Sequence, residues 1–211
     1  MASIGLDRSR PSFADVNHRN PVVDWTACAS AASLAGALGF NVDDGPWEDP
    51  TFRAHLAGAE VHGLVAMGRA YSPAGIDEFL AGFPPRGGRV PVLDFDRSGL
   101  TPAEAETWIE RVNAEWGRYP FFFGRSEWVA AGQPEDTLVA ACPYWGPQEG
   151  QELDVPRGVG EVVAHRFTDG RTGPEPHGFP GVLDHCGVSS LVVSPGRLRK
   201  LAGLEFDSSS V

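Results

Sequence analysis

The stretch VPVLDFDRSGLTPAEAETWIERV, residues 90–112, decides how the chain is read. Its first part is an apolar run, Val90–Phe95, of the length and composition of a buried strand, and it ends in two acids, Asp94 and Asp96. Its second part is a helix with its start signals in order. Thr101 is the N-cap, Pro102 the first helical residue, and Glu104 completes a capping box. Ala105, Trp108, Ile109, Val112 and Trp116 recur at helical spacing, and Gly117 stops the run. A strand feeding directly into a helix is half of a βα unit, which implies parallel strands.

The same alternation continues on both sides. A second helix is expected over DPTFRAHLAGAEVHG, with Asp49 as N-cap, Pro50 opening it and Gly63 ending it. A shorter helix is expected in SPAGIDEFLAGF, burying Ile76, Phe79 and Leu80. Short apolar runs read as strands at Ile4–Leu6, Ser33–Val42, Gly63–Ala70, Tyr119–Phe123, Thr137–Ala141, Glu161–Phe167 and Gly187–Val193. With the strand at 90–95 they suggest an α/β fold: an irregular TIM-like (β/α) barrel of about eight strands with fewer or shortened helices. No shift of composition divides the chain, so residues 1–203 read as a single barrel domain and 204–211 as a C-terminal tail.

Composition narrows the functions. The 211 residues carry a net charge of −11, the wrong sign for a nucleic-acid partner. No stretch has the length of a membrane span, and the N-terminal MASIGLDRSRP has no apolar segment like that of a signal peptide, so no membrane insertion is expected. Cys28, Cys142 and Cys186 are odd in number and lack a CxxC pair, and they read as reduced, buried thiols. No phosphate-cradling glycine motif and no metal-ligand spacing is present, so neither cofactor nor metal is expected. RLRK at 197–200 reads as a solvated basic face, and His185–Cys186 is a poor catalytic pair because sequence neighbours on a strand face opposite ways.

In a βα barrel the functional groups stand at the carboxyl ends of several strands. Asp7, Asp94, Asp96 and Asp184 pass that filter, whereas Glu104, Glu106, Glu110 and Glu115 lie on the polar side of their helix. Asp94 and Asp96 leave the same face of the strand, with Cα atoms about 6.5–7 Å apart. Val92 shares that face, and Leu93 and Phe95 point toward the covering helices. Carboxylates so close favour sharing a proton, the condition for glycoside hydrolysis by acid and charge-stabilising carboxylates. The alternative is that these aspartates hold loops, or pair with Arg97, Arg125 or Arg166.

Four stretches, in order, resemble glycoside hydrolase family 25, the muramidases that cleave peptidoglycan glycan strands. IGLDRS resembles the family's opening strand, EDPTFRAHLAGAEVHGL its next helix, VPVLDFDRSGLTPAEAETWIERV its Asp-x-Glu strand and following helix, and VVAHRFTDG with PGVLDHCGVS its closing segment. The resemblance implies a flattened, incomplete βα barrel with an acidic groove formed by Asp7, Asp94, Asp96 and Asp184. It also implies a glycan contacted by Tyr71, Phe123, His165 and Arg166. Asp96 stands in place of the family's glutamate acid, Phe123 in place of a tyrosine, and His165, Arg166 and Phe167 in place of Trp-Gln-Tyr.

Two functions follow from the resemblance. One is a muramidase acting on peptidoglycan glycan strands, with Asp96 as acid and Asp94 or Asp184 stabilising charge. It would be made in a host cytoplasm and then released to the cell wall as a phage lysin or carried on a virion. The other is a hydrolytically inactive copy of the fold that serves as a structural or glycan-binding part of a phage tail or capsid. Its partners would be phage structural proteins or further copies of the chain. Converging acids in an open groove favour the first; a groove filled by His165, Arg166 or the 169–181 loop favours the second.

Overall fold

The helix read from residues 101–117 forms with every cap in place. The computed structural model describes residues 2–31, 37–41, 47–70, 75–95, 101–125 and 136–204. In it the Thr101 hydroxyl accepts the Glu104 amide, the Glu104 carboxylate accepts the Thr101 amide, and Gly117 closes the helix at φ +64°. All five residues of the predicted stripe are buried.

In chain order the strands are β1 (Ala2–Gly5), β2 (Ser12–Asp15), β3 (Ala37–Asn41), β4 (Trp47–Glu48), β5 (Ala66–Ala70), β6 (Arg89–Asp94), β7 (Phe121–Phe123), β8 (Tyr144–Pro147), β9 (Glu152–Val155), β10 (Val162–Thr168) and β11 (Gly187–Leu191). The helices are α1 (Trp25–Ala31), α2 (Phe52–Val61), α3 (Ile76–Gly82), α4 (Pro102–Trp116) and α5 (Pro195–Leu201). Nine strands form one sheet in the order β2-β11-β10-β8-β7-β6-β5-β3-β4. From β3 through β10 each hydrogen-bonded neighbour runs parallel, while β11 is antiparallel to both β10 and β2. The sheet curls until β2 and β3 come near each other, yet no hydrogen-bonded pair joins them among the described residues. The fold is therefore mixed α/β with a curled, open sheet, and the closed barrel expected from eight strands is not formed by these residues.

Alternation along the strands divides the core in two. Val92 faces the concave side with Phe13, Met67, Val90, Phe121 and Trp145. Leu93 and Phe95 face the convex side, as the strand period requires. There α2, α3 and α4 cover the sheet through a run of aromatic contacts among Phe52, Phe79, Phe83, Trp108 and Trp116. Gly68 permits this approach, since a Cβ on it would lie 2.7 Å from the Phe83 ring.

Several boundaries differ from the sequence reading. The Ile4–Leu6 strand forms as β1, but it pairs with β9 in a separate two-stranded ribbon instead of opening the main sheet. That opening place belongs to β2, whose four residues carry too short an apolar signal to stand out. Thr137–Ala141 is not a strand. The Thr137 hydroxyl caps a 3-10 turn by accepting the Val139 amide, and the strand follows at Tyr144. Helix α2 starts three residues after Asp49, because that carboxylate is taken up by the Thr51 amide and hydroxyl and the His18 amide. Parts of the expected 33–42 strand and 72–83 helix, and residues 205–211 of the tail, lie outside the described residues. All three cysteines are buried and unpaired with one another. Burial pushes the Cys142 and Cys186 thiols up to about 12, which leaves them unreactive.

Candidate active-site cleft

On the concave face the side chains change character along each strand. Phe13, Met67, Val92, Phe121 and Ala164 fill the amino-terminal half, and two residues further on along the same strands stand Asp15, Arg69, Asp94, Phe123 and Arg166. A cleft of about 420 Å³ opens over these carboxyl ends. Its wall includes Asp15, Arg69 and Arg166, the loop residues Asn17, Arg19 and Asn20, and Asp169, Arg171, Asp184 and His185 from the segment after β10. Gly187 makes room at its base, since a Cβ there would stand 3.1 Å from Asp15 Oδ2 and 3.4 Å from Arg166 Cδ.

The charged groups at the floor form an alternating chain. Arg69 Nη1 donates to Asp94 Oδ2 at 3.3 Å and Arg69 Nη2 to Asp15 Oδ2 at 3.1 Å. Arg166 Nη1 lies 3.7 Å from the same Asp15 oxygen, and Arg166 Nη2 donates to Glu149 Oε1 at 2.8 Å. Three carboxylates are thus interleaved with two guanidiniums. The Arg69 and Asp94 side chains are only 8% and 1% exposed, so the charges are compensated by one another more than by water. Aromatic rings hold the same guanidiniums from below. The Arg69 guanidinium carbon lies 4.2 Å from the Phe123 ring centroid and 4.9 Å from that of Trp145, and the Arg166 carbon lies 5.1 Å from Phe123.

The site residues expected from sequence separate in three ways. Asp94, Asp184 and Arg166 come to the cleft: Asp94 under Arg69, the other two in its wall. Asp184 is the one described non-glycine residue at positive φ, +62°, and its Oδ1 accepts the His185 amide. Backbone of this kind is costly for a side-chain-bearing residue and gathers at functional sites. Asp96 and Tyr71 lie outside the described residues.

Asp7, Phe123 and His165 are placed otherwise than expected. Asp7 follows β1 on the side ribbon, half-exposed, where Ser9 and Arg10 hold its carboxyl below the usual range. The acid that ends the strand beside β11 is Asp15. Phe123 is buried beneath the two guanidiniums, so its ring is not part of the cleft wall. His165 is buried on the opposite side of β10 from Arg166, where its Nε2–H donates to the Gln148 carbonyl. Burial lowers its pKa, and the imidazole is neutral.

Sequence reasoning missed Asp15, Arg69 and Glu149. Asp15 was visible as an acid ending SFAD, the pattern that singled out Asp7. Arg69 was visible as one cation inside an apolar run. Glu149 carried no signal, because only the fold brings the loop after β8 to Arg166. The groove, acidic by resemblance, carries five arginines in its wall (Arg19, Arg69, Arg125, Arg166 and Arg171). Among the described residues no group of three or more His, Cys, Asp or Glu is placed to hold a metal ion, and no helix is long and apolar enough to cross a membrane.

No protein-family profile and no curated protein matches the sequence. Solved structures do match. The bacterial lysozyme from Streptomyces coelicolor is 20% identical with a TM-score of 0.72, over 94% of this chain and all of that one. The family GH25 lysozyme from Aspergillus fumigatus is 15% identical with a TM-score of 0.67, over 91% of this chain and 98% of that one. The catalytic domain of endolysin ply40 from bacteriophage P40 of Listeria monocytogenes is 12% identical with a TM-score of 0.67, over 93% of this chain and 99% of that one. Likeness of this extent at such low identity is likeness of fold: the chain has the fold of the family 25 glycoside hydrolases, the lysozymes and muramidases.

Proposed function

We propose that this protein binds peptidoglycan glycan strands in the cleft at the carboxyl ends of its parallel strands, as a hydrolytically silent form of the muramidase fold. The fold supports the choice of ligand, since its neighbours are lysozymes, muramidases and an endolysin domain. One observation supports the silence. Arg69 bridges Asp94 and Asp15, two acids at the ends of concave-face strands, and so occupies the place where a sugar would meet them. Glycoside hydrolysis needs a carboxylic acid that can give up a proton and a second carboxylate free to meet positive charge or direct water. A carboxylate held by a guanidinium is poorly disposed to either task. Delivery to the wall as a phage lysin or as part of a virion fits this reading, and the likeness to an endolysin catalytic domain supports release to the wall.

The test is sedimentation with purified cell walls. Binding that saturates, and that soluble glycan fragments compete away, is the expected result; a protein left in the supernatant at every wall concentration contradicts it. A second reading, hydrolysis with Asp96 as acid and Asp184 stabilising charge, draws support from the left-handed backbone at Asp184. It requires new reducing ends from the same walls, lost in Asp184→Asn.

A further inference from the structure

The cleft gathers five of the chain's 17 basic residues, although the protein as a whole carries −11. Counted with the acids in or beside the cleft, the charges balance: five arginines against Asp15, Asp94, Glu149, Asp169 and Asp184. Balance of charge is not balance of hydrogen-bonding capacity. Asp15 and Asp94 accept from Arg69, and Glu149 accepts from Arg166. Asp169 Oδ1 accepts the amides of Arg171 and Thr172 and the Thr172 hydroxyl, and Asp184 Oδ1 accepts the His185 amide. Each acid thus accepts from the protein through at least one oxygen, and Asp15 Oδ1 is a buried oxygen left without a hydrogen bond.

The donors are not all engaged. Arg19 and Arg171 are exposed at the rim, and neither guanidinium makes an ion pair or hydrogen bond among the described residues. Deeper in, Arg166 is 9% exposed; its Nη2 donates to Glu149, its Nη1 stands 3.7 Å from Asp15, and its buried Nε has no hydrogen-bond partner. The rim thus offers planar forks of N–H donors around a space of about 420 Å³, which is the recognition chemistry for carboxylate and phosphate.

We propose that the cleft is an oxyanion-binding site, taking a saccharide that carries a phosphate or a carboxylate. The saccharide half of this statement rests on the glycan reading above; the oxyanion half does not. Arg19 and Arg171 stand on opposite sequence segments, the loop after β2 and the loop after β10, so a bound anion joins the two. Exposed charges are screened by salt, so the binding is salt-sensitive.

Titration calorimetry of the full chain tests this with three probes: inorganic phosphate, N-acetylmuramic acid and uncharged N-acetylglucosamine. Both anions are expected to bind at one site, at least about tenfold more tightly than N-acetylglucosamine, with the affinity falling severalfold between 0.05 and 0.5 M salt. Arg19→Ala with Arg171→Ala, both at exposed positions, is expected to weaken anion binding about tenfold while the thermal midpoint stays unchanged. Tighter binding of phosphate than of N-acetylmuramic acid assigns the site to phosphate-bearing polymers; the reverse order assigns it to carboxylate sugars. Equal binding of N-acetylglucosamine, or anion binding unaltered in the double variant, overturns the proposal. Anion binding by a protein that never sediments with walls overturns the glycan reading and leaves the oxyanion site standing.

Discussion

Replacing Arg69 by methionine tests the charge chain at its centre. The side chain reaches Asp94 at 3.3 Å and Asp15 at 3.1 Å and lies over Phe123 and Trp145. Methionine keeps most of the stem and its packing on the rings but removes the charge. Breaking a buried ion pair from one side costs about 3–5 kcal/mol, because the remaining charge loses its compensation. Lost cation–π contact adds about 0.5–2 kcal/mol, part of which the thioether returns by contact with the rings. Arg166 limits the loss at Asp15, since it already stands 3.7 Å away. Asp94 is fully buried, at 0% exposure, so water does little to compensate its charge. A net loss of about 3–5 kcal/mol follows. For a chain of this size it lowers the thermal midpoint by roughly 6–20 °C. Urea unfolding at neutral pH measures it directly. Combining Arg69→Met with Asp94→Leu is expected to restore much of the loss, because an apolar pair replaces the ion pair. An Arg69→Met protein within about 1 kcal/mol of the parent would refute the reasoning, since it would mean the carboxylates never depended on Arg69.

Three further outcomes follow from other parts of the molecule. His55 is buried, its Nε2 accepts the Val22 amide and its Nδ1 faces the Thr51 hydroxyl, which itself donates to Asp49; burial lowers the imidazole pKa below 6.5. The unfolded chain therefore takes up the proton first. This contribution to stability is complete above pH about 6.5, begins to fall below that value, and is lost as pH drops through the lower folded-state pKa. His165 acts in the same direction. Thermal midpoints measured from pH 7.5 to 5 are expected to fall, and His55→Gln to flatten the fall; a parent profile that rises toward pH 5 would contradict this. Thr101→Ala removes the N-cap of α4 and is expected to cost about 1 kcal/mol in urea unfolding, with Thr101→Ser close to the parent. Gly181→Ala places a Cβ 2.1 Å from the Asp24 carbonyl oxygen at φ +78°, so a loss beyond the roughly 1–2 kcal/mol of the left-handed backbone is expected by the same measurement.

The parts of the fold legible in the sequence were those whose cause is local. The capping box at Thr101, the five-residue stripe of α4 and the alternation of β6 each depend on neighbours within a few residues. So α4 and β6 stand where they were expected. β2 and β8 have four residues each, too few for a period to show, and β1 carries a strand signal that says nothing of which sheet it joins. The cleft was half legible. Strand-end acids marked Asp94 and Asp184, but the same rule chose Asp7 over Asp15, because only the pairing of β2 with β11 decides between them. Arg69 meets its partners across 25 and 54 residues of sequence, a distance at which no spacing rule operates. The expectation that the silent form has a groove filled by His165, Arg166 or the 169–181 loop is not met in that form: His165 faces away, and Arg166 lines a cleft that keeps about 420 Å³ open.

The measurement that bears most directly on the central claim is the release of reducing sugar from purified cell walls, followed over hours at high protein concentration. The arginine-bridged carboxylates predict a protein that sediments with the walls and generates no new reducing ends. Steady release that disappears in Asp94→Asn would show that Asp94 serves hydrolysis despite Arg69, and would contradict the account.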